Sequence, residues 1–211
     1  EFQTRILSWF DQHGRKDLPW QQAINPYRVW VSEIMLQQTQ VASVIAYYTR
    51  FMARFPALED LARAEQDEVL QYWAGLGYYA RARNLHQTAR LILQQGGEFP
   101  QTLDALLALP GIGRSTAGAI LSIACGQSQA ILDGNVKRVL ARFAAVEGWP
   151  GEPKVAKQLW QISEDLTPSA RTADYTQAMM DLGATLCTRS RPQCAVCPLV
   201  ENCQAYLQNR V

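Results

Sequence analysis

Residues 109–117 read Leu-Pro-Gly-Ile-Gly-Arg-Ser-Thr-Ala. An apolar segment ends at Leu109, a Pro-Gly-x-Gly turn follows, and a helix of small residues restarts near Arg114. Gly111 and Gly113 permit a tight turn and leave its backbone N–H groups uncovered. At a helix N-terminus such donors form a ready site for a phosphate, to which Arg114 adds charge. The stretch also reads as a plain connection between two helices. Outward from the turn, three-four spacing of apolar residues recurs at Ile6, Leu7 and Phe10, at Val29, Trp30 and Ile34, at Val41, Val44, Ile45 and Tyr48, and at Val136, Val139, Leu140 and Phe143. Proline and glycine punctuate between these segments, and alternating runs bounded by hairpin turns are hard to find. The expected fold class is all-α, with about ten to twelve short helices and no sheet.

The chain has 211 residues, a formal net charge of +1, 48% hydrophobic and 18% charged residues. This composition excludes a disordered or low-complexity chain. Near-neutrality excludes a polybasic protein that coats nucleic acid by bulk attraction. Charge is uneven, however. Residues 57–70 hold five acids and one base, whereas 71–95 hold Arg81, Arg83 and Arg90 with no acid. Residues 111–142 hold Arg114, Lys137, Arg138 and Arg142 against Asp133 alone. Each basic stretch reads either as a solvated helix face or as part of a basic face. No run is apolar enough for a membrane span and no signal peptide is visible at the start, EFQTRILSWF.

Of the five cysteines, four follow the spacing Cys187-x6-Cys194-x2-Cys197-x5-Cys203. A secreted disulfide scaffold spreads an even number along the chain, so a reducing compartment, the cytoplasm, and a metal centre are expected. Zinc favours short paired knuckles, and only Cys194 and Cys197 form one. The wider, unequal loops suit a larger object such as a 4Fe–4S cluster, although ferredoxin spacings differ. Spacing alone leaves both open. Cys125, in an apolar run, reads as an ordinary buried thiol.

Two carboxyls invite a chemical reading. Glu33 lies among Val29, Trp30, Leu36 and Gln37 on a helical pattern, where desolvation would raise its pKa and equip it to donate a proton. The local pattern by itself also reads, and more readily, as a surface Glu at the margin of the stripe. Asp133 stands immediately before an amphipathic segment and is first an N-cap. A carboxylate at a helix start stays ionised, which suits an electrostatic stabiliser or nucleophile. Together they would form an acid-plus-carboxylate pair of the kind used on glycosidic bonds. Trp20, Gln37, Gln38, Tyr78 and Tyr79 could stack on bases or fill the space left by an extruded nucleotide.

The 109–117 turn resembles the helix-hairpin-helix motif, which grips a DNA backbone without reading sequence. With Asp133 beyond it and the C-terminal cysteine spacing, the chain resembles the endonuclease III superfamily of DNA glycosylases. Within that superfamily LPWQ (18–21), SEIMLQQTQV (32–41), GLGYYARARNL (75–85), LPGIGRSTAGAI (109–120), ILDGNVKRVLAR (131–142) and QAMMDLGA (177–184) are similar to the adenine-specific MutY family, over essentially the whole chain. The resemblance implies excision of adenine opposite 8-oxoguanine or guanine in double-stranded DNA by base flipping, with a 4Fe–4S cluster on the four cysteines. It implies Glu33 as the general acid, Asp133 as the carboxylate that stabilises the oxocarbenium sugar, and Asn135 as a residue organising that site. Trp20 and Gln177 match positions lining the adenine pocket. Gln38, Thr39 and Tyr78 match residues that wedge into the duplex or contact 8-oxoguanine, and Arg189 and Arg191 match basic DNA contacts. Lyases of the superfamily carry a Lys after the hairpin Arg. Here that position is Ser115, which implies base removal without efficient strand cleavage.

The architecture implied is a six-helix barrel over 20–130, with its hairpin at 105–124, beside a cluster domain made of 1–19 and 131–211, DNA lying in a cleft between them. A monomer is expected. Full-length family members continue into a MutT-like domain that helps recognise 8-oxoguanine; this sequence stops at Val211 and is read as a fragment. The rival readings are a bifunctional lyase or other base glycosylase, and a non-catalytic iron–sulfur module that binds DNA or transfers electrons.

Overall fold

Asn25, Thr102 and Asp133 each stand just before a helix, and each accepts a backbone N–H from its first turn: Arg28 N at 2.9 Å, Ala105 N at 3.3 Å and Val136 N at 2.7 Å. Such caps satisfy donors that have no intrahelical partner. Pro26 and Pro153 occupy first-turn positions, where the missing N–H costs nothing. The computed structural model describes residues 1–211. Its helices are α1 (Phe2–His13), α2 (Pro26–Leu36), α3 (Val41–Arg54), α4 (Leu58–Arg63), α5 (Gln66–Trp73), α6 (Ala80–Gln94), α7 (Leu103–Leu107), α8 (Arg114–Ala119), α9 (Gly134–Phe143), α10 (Pro153–Leu166), α11 (Thr172–Thr185) and α12 (Gln204–Leu207). Short 3₁₀ turns and one π-helical turn complete the set and there is no strand, so the chain is all-α. No helix is long and apolar enough to cross a membrane.

The chain divides into two units, Lys16–Cys125 and Glu1–Arg15 with Gly126–Val211. These boundaries fall four and five residues before those read from the sequence. Arg15 belongs with the second unit because its backbone and guanidinium both bond Asp181, a partner 166 residues away. In the Lys16–Cys125 unit, α2 packs against α3, α6 and α8. Trp30, Tyr48, Phe51, Phe55 and Trp73 are fully buried there. Their rings meet edge-on or tilted, with Phe51 4.8 Å from Phe55 and 6.2 Å from Trp73. Burial of such side chains stabilises by about 1.5–3 kcal/mol each, so this core dominates the unit. His86 lies within it, its Nε2 2.9 Å from the Ala64 carbonyl, and burial lowers its pKa.

In the other unit α11 packs on α1 and α9, and α9 also meets α10 and α12. The approach of α9 to α11 depends on Gly183, where a Cβ would lie 2.6 Å from the Cβ of Asn135. Phe2 stacks edge-on against Phe143 at 4.7 Å and anchors α1 to this unit.

The basic stretches are a correction to the sequence reading. Arg81 and Arg90 donate to backbone carbonyls within their unit, and Arg138 and Arg142 donate to carbonyls of the cysteine segment. Arg81, Arg138 and Arg142 are half-buried against acceptors that carry no charge, whereas Arg83, Arg90 and Arg114 stay exposed.

Candidate functional site

The hairpin turn between α7 and α8 is built around Gly111, whose φ is +77°. A Cβ there would come 2.9 Å from the Cβ of Asn84, so both conformation and space demand glycine. Gly113 caps α8 and is exposed, with open space where a Cβ would stand. Arg114 is exposed and Ser115 half-buried at the helix start. α8 runs directly into a wider π-helical turn over Ile120–Ala124, which places Leu121 and Ser122 in the interior. Cys125, next in the chain, is half-buried and its thiol is pushed up by burial.

The hairpin touches the end of α2. Gln37 Nε2 lies 3.5 Å from Thr116 Oγ1, and a small pocket is lined by Trp30, Ile34, Gln37, Arg81, Asn84 and the turn at Pro110–Gly111, among others. Glu33, on the same helix, is half-buried. Beyond α2, Gln38 is exposed with φ +54°, and Thr39 is half-buried with its hydroxyl 3.2 Å from the Gln37 carbonyl. Tyr78, before α6, is exposed with φ +47°. Left-handed backbone at a non-glycine residue costs about 1–3 kcal/mol, so neither loop is relaxed. Tyr79 braces the second loop, its hydroxyl accepting the Gly75 N–H at 3.3 Å. Trp20 sits in the short turn Pro19–Gln21. Only 6% exposed, it packs edge-on against Tyr48 in the core of the unit.

In the second unit Asp133 and Asn135 stand at the start of α9. Asp133 caps the helix as expected. Burial pushes its carboxyl above the ordinary value of 3.8, against the pull of the Val136 and Asn135 N–H groups and of Arg138 and Lys137. Asn135 Oδ1 accepts from Arg138 Nη2 at 2.8 Å. Arg138 continues to the carbonyls of Gly183 (2.6 Å) and Cys187 (2.6 Å), so one guanidinium links the Asp133 turn to the first cysteine. Gln177, on α11, donates to Asp181 Oδ1 at 2.9 Å. Asp181 is 1% exposed and is also gripped by Arg15 through its backbone N–H (2.8 Å), Nε (2.9 Å) and Nη2 (2.6 Å). Such a buried, charge-assisted network fixes the Gln177 side chain.

All four clustered cysteines are free thiols that line one pocket. No group of three His, Cys, Asp or Glu side chains is arranged to hold a single metal ion. A tetrahedral zinc would draw sulfurs to roughly 3.8 Å from each other, given Zn–S bonds of about 2.3 Å. Four sulfur donors on one pocket suit a group bound through thiolates. Burial and the neighbouring sulfurs push the thiols of Cys194 and Cys197 up, the latter to about 11. Arg142 answers part of this charge, with Nη1 3.4 Å from Cys187 Sγ and 2.7 Å from the Thr188 carbonyl. Arg189 and Arg191 remain exposed in the loop that follows, Arg191 with φ +55°.

Within the first unit the structure thus groups Gln37, Gln38, Thr39, Tyr78, Gly111 and Arg114 around the ends of α2, α6 and the hairpin. Within the second it groups Asp133, Asn135 and Cys187 through Arg138. Sequence reasoning missed Arg15, Arg81, Arg138, Arg142 and Asp181 as organising residues. Only Asp181 left a signal, a lone acid four residues after Gln177 in an otherwise apolar helical run.

The family model for HhH-GPD superfamily base excision DNA repair proteins matches residues 31–165. An adenine DNA glycosylase of Buchnera aphidicola subsp. Baizongia pistaciae is 46% identical over 211 residues, all of this chain and 60% of its own length. The human adenine DNA glycosylase is 50% identical over 97% of this chain and 39% of its own length. The chain therefore spans about three fifths or less of these curated relatives. Among solved structures, a thermostable thymine-DNA glycosylase superposes with a TM-score of 0.87 at 29% identity, covering 98% of this chain and 95% of its own. Endonuclease III in a non-covalent DNA complex has the same fold, with a TM-score of 0.81 at 23% identity over 99% of this chain and 94% of its own.

Proposed function

We propose that this chain, which belongs to the HhH-GPD superfamily of base excision DNA repair proteins, removes adenine mispaired with 8-oxoguanine or guanine from double-stranded DNA. The observation that carries the reading is the continuity of the hairpin turn with α2. The phosphate-ready turn at Gly111–Arg114 contacts the helix bearing Glu33 through Gln37 and Thr116, in a chain matched along its whole length by adenine DNA glycosylases. The hairpin would hold backbone phosphate while Gln38, Thr39 and Tyr78 enter the duplex and the adenine leaves the stack. Trp20 and Gln177 would border the base, and Arg189 and Arg191 would add phosphate contacts.

In the proposed chemistry Glu33 gives a proton to N7 of adenine. The bond between C1′ and N9 then breaks, its electron pair leaving with the base, and the sugar becomes an oxocarbenium ion. Asp133 stabilises that cation. Its carboxylate is poorly solvated before reaction, so a positive charge forming beside it is worth more than it would be in water. Asn135, held by Arg138, organises the same turn. Water adds at C1′ with Glu33 taking its proton, a general acid–base role worth roughly 10²–10⁴-fold. Ser115 stands where a lyase of this superfamily requires an amine, and a hydroxyl forms no Schiff base, so strand cleavage is not efficient. Cys187, Cys194, Cys197 and Cys203 would hold a 4Fe–4S cluster, whose iron would supply positive charge to thiolates and offset the burial that pushes the Cys194 and Cys197 thiols up.

Turnover on duplexes holding A opposite 8-oxoguanine, A opposite G and T opposite G, followed by alkali cleavage, tests the assignment. Loss of adenine from the first two alone is expected. Excision of thymine would instead assign the specificity of the thymine-DNA glycosylase that shares the fold. A strong borohydride-trapped adduct on abasic DNA would overturn the monofunctional reading.

A further inference from the structure

The loops at 37–40 and 76–79 hold conformations that their own residues disfavour. Gln38 and Tyr78 have φ of +54° and +47°, a region that side chains beyond glycine rarely occupy. Tyr78 is 65% exposed and Gln38 is exposed as well, so burial of their own side chains does not hold either backbone in place. Both loops are instead tied to one side chain. Arg81 Nη1 donates to the carbonyls of Ile34 (2.9 Å), Met35 (3.0 Å) and Gln37. Its Nη2 donates to the carbonyls of Gly77 (3.3 Å) and Leu76 (3.4 Å) and to Thr39 Oγ1 (3.4 Å). The guanidinium also lies 5.4 Å from the ring centroid of Trp73 and 5.6 Å from that of Tyr78.

We infer that Arg81 is a positioning residue that locks the two loops into one register, so that Gln38, Thr39 and Tyr78 meet the duplex as a single preformed wedge. What the wedge does rests on the glycosylase reading above; how it is held does not. The last carbonyls of α2 keep at most a long bond from the following turn, such as Gln37 N–H to the Ile34 carbonyl at 3.4 Å, and a cation at that end adds a donor and opposes the helix dipole. The planar fork then reaches across to the second loop in the opposite direction. A Lys keeps the charge but presents three donors from one point, which cannot span both sets of acceptors. Ring contacts on Trp73, in the core, and Tyr78, at the surface, connect the fixed part of the unit to the exposed tip. A wedge assembled before DNA arrives spares the complex the ordering of two loops on binding, and that saving counts only where the wedge is used.

Two measurements on Arg81→Lys in the full 211-residue chain test the inference. The first needs no DNA: backbone amide exchange of the free protein is expected to quicken at 37–40 and 76–79 together, by about tenfold or more, while α3 and α9 keep wild-type protection. Quickening of one loop only, or of neither, overturns the inference. The second compares duplex binding. Preference for A opposite 8-oxoguanine over matched A·T is expected to fall about tenfold, with matched-duplex affinity retained, and excision on the mismatch to fall up to about 10²-fold, as for a misplacement of about 1 Å. In a Tyr78→Ala background the same substitution should cost much less, because Arg81 acts through the wedge. Equal loss on matched and mismatched duplex, or full additivity with Tyr78→Ala, marks a merely structural arginine and overturns the inference. If Arg81→Lys loses its helical signal, Thr39→Val, which removes one acceptor of the fork, replaces it with the same two-loop expectation in exchange. Failure of the wild type to release adenine sinks the glycosylase reading, and the exchange measurement still decides the role of Arg81.

Discussion

Arg81 of α6 ties loops 37–40 and 76–79 to the end of α2, and Arg138 and Arg142 of α9 tie residues 183–189 to the Asp133 turn. Both units thus use helix-borne arginines to satisfy carbonyls of irregular backbone. The ground beneath the loops differs. Loops 37–40 and 76–79 flank helices anchored by fully buried Trp30 and Trp73. In the segment 188–211 only Leu199 and Ala205 are buried, and its helical turns are short. Ordering a backbone residue costs about 1–2 kcal/mol, whereas burying a Leu returns about 1.5–3 kcal/mol. Packing therefore suffices for the first region and falls short for the second. The comparison teaches that packing and one guanidinium can hold the first pair of loops, while the cysteine segment has little apolar burial of its own.

The largest effects should come from the carboxyls that the proposed chemistry draws from the two regions. Glu33→Gln is expected to slow adenine excision roughly 10²–10⁴-fold in single-turnover assays, with duplex binding retained; binding lost in parallel would make Glu33 a structural residue. Asp133→Asn should slow excision on the order of 10²–10³-fold and yet raise the melting temperature at neutral pH. Asn caps a helix as well as Asp. The folded-state pKa of Asp133 lies above its unfolded value of 3.8, so its contribution to stability is complete below that value and is lost as pH rises through the folded pKa. Melting curves of both proteins from acid to neutral pH check this, the gain closing toward acid. A constant or reversed difference would contradict the desolvation argument.

Cys197→Ser should abolish visible iron–sulfur absorbance and release amide protection across 188–211, leaving 37–40 and 76–79 untouched. Retained protection of the tail without the cluster would remove the contrast between the regions. The smallest effects are expected from two glycines, one per unit. Gly111→Ala meets Asn84 at 2.9 Å with φ +77°, and should cost about 1–3 kcal/mol in denaturant unfolding while weakening matched and mismatched duplex alike. Gly183→Ala meets Asn135 at 2.6 Å and should cost a similar 1–3 kcal/mol with duplex affinity unchanged.

The residues legible in the sequence were those whose partners lie nearby. Asp133 read as an N-cap because its partner is the N–H three residues on, and Gly111 because the turn that needs it is local. The arginines read differently. Arg81, Arg138 and Arg142 bond mainly to carbonyls, and every residue has a carbonyl, so no letter of the sequence marks them as acceptors. They therefore looked like a basic face. Trp20, which the resemblance puts in the lining of the adenine pocket, packs edge-on against Tyr48, a partner far along the chain that no local pattern names. Gln177 is fixed through Asp181 by an arginine at the far end of the chain.

The sequence by itself determined the all-helical class, the caps, the hairpin turn and the grouping of four thiols within one short segment. Each follows from propensities and hydrogen bonds that span a few residues, and these survive whatever the rest of the chain does. Tertiary structure alone decided where the arginine donors go, that the Asp133 carboxyl is desolvated, and that two loops share one guanidinium. Those properties depend on which distant atoms exclude water or offer lone pairs, and only a packed interior brings such atoms within hydrogen-bonding distance.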